Sequence, residues 1–154
     1  MAAAEDVVPR VLIVEDEPEI QDLIGDLLLL EGYEAHALDR IPHGLDSIRR
    51  LAPDVMVLDL RLPGVGGVEF LRLMSADRVL RSVPVVICSG ARDLRTAHAE
   101  EFAALGCEVV AKPFELDELI GAVRRCLRRS EVSAKQPAGG GANGPWSPPT
   151  RRPQ

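Results

Sequence analysis

The sequence predicts an α/β fold, a three-layer doubly wound (βα)5 sandwich around a five-stranded parallel sheet. Three observations predict it. Five short apolar runs recur along the chain. Four of them are continuous rather than alternating and most are rich in β-branched residues, the pattern of strands covered on both faces. Segments with helical periodicity lie between the runs, and strand–helix alternation of this kind builds parallel sheets with right-handed crossovers.

Val11, Leu12, Ile13 and Val14 form the first run. Ile20, Leu23, Ile24, Leu27 and Leu28 then make one apolar helical stripe, and Gly32 is placed to stop that helix. The second run, residues 33–38, is the weakest. A helix is expected over about 43–51, a third strand over 55–58, and a second interior helix over about 66–76. A fourth strand is expected over 85–87 and a helix over about 94–105, with Gly106 as its stop. The fifth run is Val109, Val110 and Ala111. The last stripe is Leu116, Leu119, Ile120, Val123 and Leu127, ending near Arg128 and Arg129, where cations suit the negative end of a helix dipole. Aromatic residues are only 3% of the chain, so Leu, Val, Ile and Ala must fill the core.

The 154 residues carry 18 basic and 24 acidic side chains, a formal charge of −6, with 46% hydrophobic and 27% charged residues. Those values fit one ordinary domain and exclude a wholly disordered chain. No apolar run approaches the roughly 20 residues of a membrane helix, so no membrane insertion is expected. The first ten residues lack the apolar stretch of a secretion signal. Cys88, Cys107 and Cys126 are odd in number and form no C-x-x-C pair, which suits a reducing cytoplasm better than a disulfide or zinc scaffold. The negative charge opposes direct nucleic-acid binding, which normally needs a basic face.

Composition changes near the C-terminus. Residues 137–154 hold five prolines and four glycines, with Trp146 their one aromatic side chain. Such a stretch cannot bury enough apolar surface to offset its ordering entropy. The expected division is a globular domain over 9–130 and a disordered Pro/Gly-rich tail over 131–154. By formal count, residues 1–130 carry −8 and the tail +2.

In open α/β sheets, function gathers outside the carboxyl ends of the strands. Glu15 and Asp16 come directly after the first run, Asp59 after the third, Ser89 after the fourth and Lys112 after the fifth. Any one carboxylate there reads as a solvated loop residue or a helix cap. Four strand ends that together supply three carboxylates, a hydroxyl and an amine form a chemical set. Clustered carboxylates suit a hard divalent cation with oxygen ligands, as Mg2+ is. A carboxylate beside that cation can attack a phosphoryl donor, while the lysine and hydroxyl share the charge of the transferring group. Lys112 is one of two lysines in a chain with 16 arginines, and the other is Lys135.

With their neighbours, these residues carry a family resemblance. Val-Glu-Asp-Glu-Pro at 14–18, Asp-Leu-Arg-Leu-Pro-Gly-Val-Gly-Gly at 59–67, Cys-Ser-Gly-Ala at 88–91 and Lys-Pro-Phe at 112–114 stand in order. The chain resembles, over about residues 9–130, a receiver domain of bacterial two-component response regulators, of the CheY-like, flavodoxin-like kind. The resemblance implies a sheet of order 2-1-3-4-5. It implies that Asp59 is the phosphoacceptor, taking a phosphoryl group from a phosphohistidine on a sensor histidine kinase or histidine phosphotransfer protein. It also implies Mg2+ held by Glu15, Asp16, Asp59 and the backbone carbonyl of Arg61. Ser89 would be the switch hydroxyl, Lys112 the partner of the phosphoryl oxygens, and the bond before Pro113 cis.

The expectation is a single-domain response regulator of a two-component or phosphorelay system. It is not an enzyme beyond its own aspartyl phosphorylation and dephosphorylation, and it signals through contacts with an unknown downstream protein. No recognisable output domain is expected after residue 130. Two places depart from the family pattern. Val109 occupies a position that is usually aromatic and rotates inward with the switch hydroxyl, which keeps a phosphorylation-independent interaction module as the alternative. Ile41-Pro42-His43-Gly44 replaces a more polar run. A flavin-mononucleotide site is rejected because it needs a hydroxyl- and glycine-rich phosphate loop after the first strand, where Glu15, Asp16 and Glu17 would repel a phosphate unless a cation intervened. A haloacid-dehalogenase-type phosphatase is excluded because Arg61 stands where its second acid belongs. His36, His43 and His98 lack metal-ligand spacing, and Arg124, Arg125, Arg128 and Arg129 read as a solvated helix face.

Overall fold

The computed structural model describes the backbone of residues 7–135 and the side chains of residues 7–130. Five strands alternate with helices: β1 (Arg10–Val14), α1 (Pro18–Leu30), β2 (Glu34–Leu38), α2 (Asp46–Leu51), β3 (Val55–Leu58), α3 (Gly67–Ser75), β4 (Val85–Ser89), α4 (Arg92–Ala97), α5 (Ala99–Ala104), β5 (Glu108–Ala111) and α6 (Leu116–Lys135). A short 3-10 turn, Leu80–Ser82, precedes β4. All strand pairs are parallel and the sheet order is β2-β1-β3-β4-β5, as the resemblance implied.

Both faces of the sheet are buried, which is why the strands read as unbroken apolar runs. Successive residues of a strand point to opposite faces. Val11, Ile13, Val55, Val57, Val86, Cys88 and Val110 form one core with Ile24 and Leu28 of α1 and Leu119, Ile120, Val123 and Cys126 of α6. Leu12, Val14, Met56, Leu58, Val85 and Ile87 form the other with Ile48 of α2, Phe70 and Met74 of α3, and Phe102 of α5. Each fully buried side chain of this size contributes about 1.5–3 kcal/mol. Gly32 and Gly106 take φ of +90° and +75°, so both end their helices in the left-handed backbone region that glycine tolerates.

Three elements differ from expectation. Helix α2 begins at Asp46, three residues later than expected, because Pro42 disfavours helical backbone at Ile41 and Gly44 weakens the first turn. The expected helix over 94–105 is two short helices joined at His98, whose backbone departs to φ −114°, ψ 17°. Helix α4 buries no side chain fully and α5 buries only Phe102, so little packing holds one straight axis. Helix α6 continues to Lys135, beyond the expected domain edge at 130. The rest of the expected tail lies outside the described residues.

Strand register positions the site. Val14 pairs with Leu38 and Leu58, Leu58 with Ile87, and Ser89 with Ala111. The residues just beyond β1, β3 and β5, together with the end of β4, therefore emerge along one edge of the sheet.

Candidate functional site

Glu15 follows β1, Asp59 follows β3, Ser89 ends β4 and Lys112 follows β5, so four parallel strands deliver them to the same edge. Glu15, Asp59 and Ser89 are the buried polar residues among those described, at 2%, 7% and 1% exposure. Asp16 is exposed beside them. Glu15, Asp16 and Asp59 each offer a carboxylate oxygen, and these oxygens lie within 4.8 Å of one another. Asp16, Glu17, Asp59, Arg61, Ser89 and Lys112 line one open cleft of about 350 Å3.

Lys112 is the cation that keeps this cluster together. Its Nζ donates to Glu15 Oε1 at 2.6 Å and to Asp59 Oδ2 at 3.3 Å, and stands 3.8 Å from Glu17 Oε1. The Lys112–Pro113 bond is cis. Burial pulls the Lys112 ammonium down, but hydrogen bonds and charge from Glu15 and Asp59 outweigh it and hold its pKa above the ordinary value. Burial pushes the Glu15 carboxyl up, against the opposing pull of Lys112. The Glu15 carboxylate also accepts the Glu17 backbone N–H at 3.1 Å, and the Gln21 amide donates to the Glu15 carbonyl at 2.6 Å.

The acceptor side is equally ordered. Asp59 Oδ1 accepts the Arg61 backbone N–H at 3.3 Å. Ser89 Oγ accepts the Ala91 N–H at 3.1 Å. Neighbouring Cys88 is buried, and burial pushes its thiol up to about 12, so it stays protonated and unreactive at neutral pH. Gly67 lets α3 start directly beneath the acceptor: a Cβ there would stand 2.6 Å from the Asp59 carbonyl oxygen and 2.7 Å from Leu60 Cα.

The donor set suits a hard cation. The acidic oxygens are of Glu15, Asp16 and Asp59, and no sulfur or imidazole lines the cleft. One ammonium faces three carboxylates at its centre, which leaves negative charge for a divalent ion to balance. Arg61 arrives with its side chain on the rim of the cleft, and its guanidinium Nη2 donates to Asp93 Oδ1 and Oδ2 at 2.7 and 2.8 Å.

The structure thus brings Glu15, Asp16, Asp59, Arg61, Ser89 and Lys112 together at one sheet edge. It adds Glu17, Gln21 and Asp93. Glu17 was visible as the third acid of a run. Gln21 and Asp93 carried no local signal, since each matters only through a partner that the fold supplies. Val109 lies on β5 at 43% exposure, in a groove shared with Arg95, Ala99 and Phe102. None of the helices among the described residues is long and apolar enough to cross a membrane.

Comparison with known proteins identifies the family and the fold. Residues 11–124 match the family described as the response regulator receiver domain. The chain is 33% identical over 127 residues to the DNA-binding response regulator MtrA of Mycolicibacterium smegmatis, covering 79% of this chain and 52% of that protein. It is 30% identical over 126 residues to the cell cycle transcriptional regulator CtrA of Caulobacter vibrioides, covering 82% of this chain and 53% of the relative. The chain thus spans about half the length of these relatives. Its fold matches the chemotaxis response regulator CheY4 of Vibrio cholerae with a TM-score of 0.69 at 22% identity, over 79% of this chain and all of that one (100%).

Proposed function

Because the chain belongs to the response regulator receiver domain family, we propose that Asp59 accepts a phosphoryl group from a phosphohistidine. One observation carries this reading: a nearly buried carboxylate at the end of β3 shares its cleft with a lysine 3.3 Å away and with two further acids. The donor is a sensor histidine kinase or a histidine phosphotransfer protein.

An Asp59 carboxylate oxygen attacks phosphorus, the N–P bond breaks, and the leaving imidazole keeps the electron pair and takes up a proton. Asp59 is held for that attack by the Arg61 N–H and by Lys112. Lys112 supplies a compact positive charge to the phosphoryl oxygens. The Ser89 hydroxyl, which lines the same cleft, donates to a phosphoryl oxygen once the group is in place. Glu15, Asp16, Asp59 and the Arg61 carbonyl would hold Mg2+, which when bound offsets the charge of the transferring group.

We assign the domain protein partners rather than nucleic acid, and a cytoplasmic setting in which such kinases can reach it. Two relatives are named as a DNA-binding and a transcriptional regulator, but the match covers about half of each. The formal −8 of residues 1–130 opposes contact with a phosphate backbone. On this reading the domain catalyses only its own phosphorylation and dephosphorylation, and its output is a protein–protein contact.

The test is incubation of the full chain with Mg2+ and radiolabelled acetyl phosphate or kinase. Label should enter the wild type and not Asp59→Asn; equal labelling of the two would end this reading. A second reading, a phosphorylation-independent interaction module, is favoured by Val109, because a valine cannot make the rotation of a large aromatic. It requires that Asp59→Asn bind the downstream partner as the wild type does.

A further inference from the structure

Val109 removes one route from the acceptor to the helices beside β5, and the structure offers another in the ion pair between Arg61 and Asp93. Arg61 stands two residues after the acceptor and its backbone is tied to the Asp59 carboxylate. Its guanidinium reaches across to both oxygens of Asp93, the second residue of α4. Both side chains line the cleft that contains Asp59, Ser89 and Lys112.

Helix α4 is poorly anchored otherwise. None of its side chains is fully buried, although Leu94 packs partly against the core. Its Arg95 Nε is buried with no hydrogen-bond partner among the described residues. An unpaired buried donor raises the free energy of the arrangement that contains it. The helix therefore rests on little packing, and the polar tie to the acceptor loop opposes its shift.

We propose that the Arg61–Asp93 pair is a latch: phosphorylation of Asp59 draws the Arg61 guanidinium onto the phosphoryl oxygens and releases α4. This rests on Asp59 being the phosphoacceptor. Phosphorylation replaces a carboxylate of charge −1 by a group that carries close to −2 and three strong acceptor oxygens. Guanidinium pairs with phosphoryl oxygens in the same forked manner as with carboxylate. The new acceptor arises two residues from Arg61, whereas Asp93 belongs to another segment, so only one side chain needs to swing. Being exposed, the Asp93 pair is weak and easily exchanged. Partner selection would then depend on the α4 surface without an inward aromatic at position 109.

The test is amide hydrogen exchange over Arg92–Ala97 in the full chain, with Mg2+, before and after addition of beryllofluoride as the phosphoryl mimic. In the wild type, α4 exchange should rise about two- to fivefold, the size of an exposed ion pair. In Arg61→Ala and in Asp93→Ala it should already be raised without beryllofluoride and change little on its addition. The double variant should exceed neither. Arg61→Ala controls for any direct effect of Asp93 on the start of the helix. Unchanged α4 exchange in a wild type that takes label on Asp59, or an Arg61→Ala whose exchange starts at the wild-type level and rises fully on adding beryllofluoride, overturns the latch alone. Absence of label on the wild type overturns the phosphoacceptor reading and the latch with it.

Discussion

Asp77 shows what one side chain can contribute away from the cleft. Its carboxylate pairs with the Arg49 guanidinium and accepts the Val79 and Leu80 backbone N–H groups at 3.0 and 2.9 Å, capping the turn before β4. The Arg49 hydrogen bond, then the two backbone donors, lower its pKa from 3.8 to about 2 against the opposing effect of burial. A carboxyl with a folded pKa below its unfolded value stabilises fully above the unfolded value. That stabilisation is lost as pH falls through the folded one. The Asp77 contribution should therefore be complete above about pH 4 and disappear toward pH 2. Urea unfolding across that window should show Asp77→Asn less stable than wild type at pH 6, by about 1–2 kcal/mol, with the gap closing near pH 2. A gap that stays constant with pH would show that the Asp77 charge is not its source.

At the same scale, the acids, hydroxyl and lysine of the cleft were legible because each directly follows or ends an apolar run. Their chemistry could be read from position alone. Asp77, Gln21 and Asp93 were not legible. Each works through a partner that the fold brings to it, as Arg61 is brought to Asp93, and sequence spacing holds no record of such contacts.

Among the elements, α3 is the one whose start matters most to the cleft. The Gly67 N–H donates to the Leu60 carbonyl at 2.9 Å, and the missing Cβ lets helix and strand end touch. Gly67→Ala would force backbone apart at Asp59 and Leu60, since the obstructing atoms are main chain. Such overpacking costs about 1–3 kcal/mol. Gly67→Ala should unfold at lower urea and label more slowly with acetyl phosphate, whereas Gly66→Ala, with open space around its Cβ position, should do neither through crowding. Equal behaviour of the two variants would count against the close approach.

The strands and the long helices α1 and α6 were readable because their apolar patterns are strong and continuous. Helices α2, α4 and α5 were readable only as helical regions. Their ends depend on Pro42, Gly44 and the His98 break, and on how little of α4 and α5 the sheet covers.

For the whole molecule, the central consequence is that the fold gathers like charges. Three carboxylates meet at one sheet edge, and a single lysine pairs with two of them, Glu15 and Asp59. A cation that binds the folded state and not the unfolded chain stabilises it by mass action. Mg2+ at ten times its dissociation constant should raise stability by about 1.4 kcal/mol. Chelation should reverse the gain, and Asp16→Ala should reduce it. Thermal unfolding with and without Mg2+ checks this, and an unshifted midpoint at saturating Mg2+ would argue against a metal at these acids.

The sequence by itself determined the strand–helix alternation, the double burial of the sheet and the residues at the strand ends. These are local matters: the period, the run length and the identity of the residue just beyond each run. Strand order could be inferred only through family resemblance, because alternation alone permits other orders of five parallel strands. Tertiary structure decided that Asp59, Ser89 and Lys112 share one cleft with Glu15 buried against Lys112, that Arg61 reaches Asp93, and that α4 is loosely seated. Those outcomes depend on register and packing between segments as many as 97 residues apart, the separation of Glu15 and Lys112. Local propensity carries no term for such distances; only burial of both sheet faces, with every strand end aligned, brings these charges together.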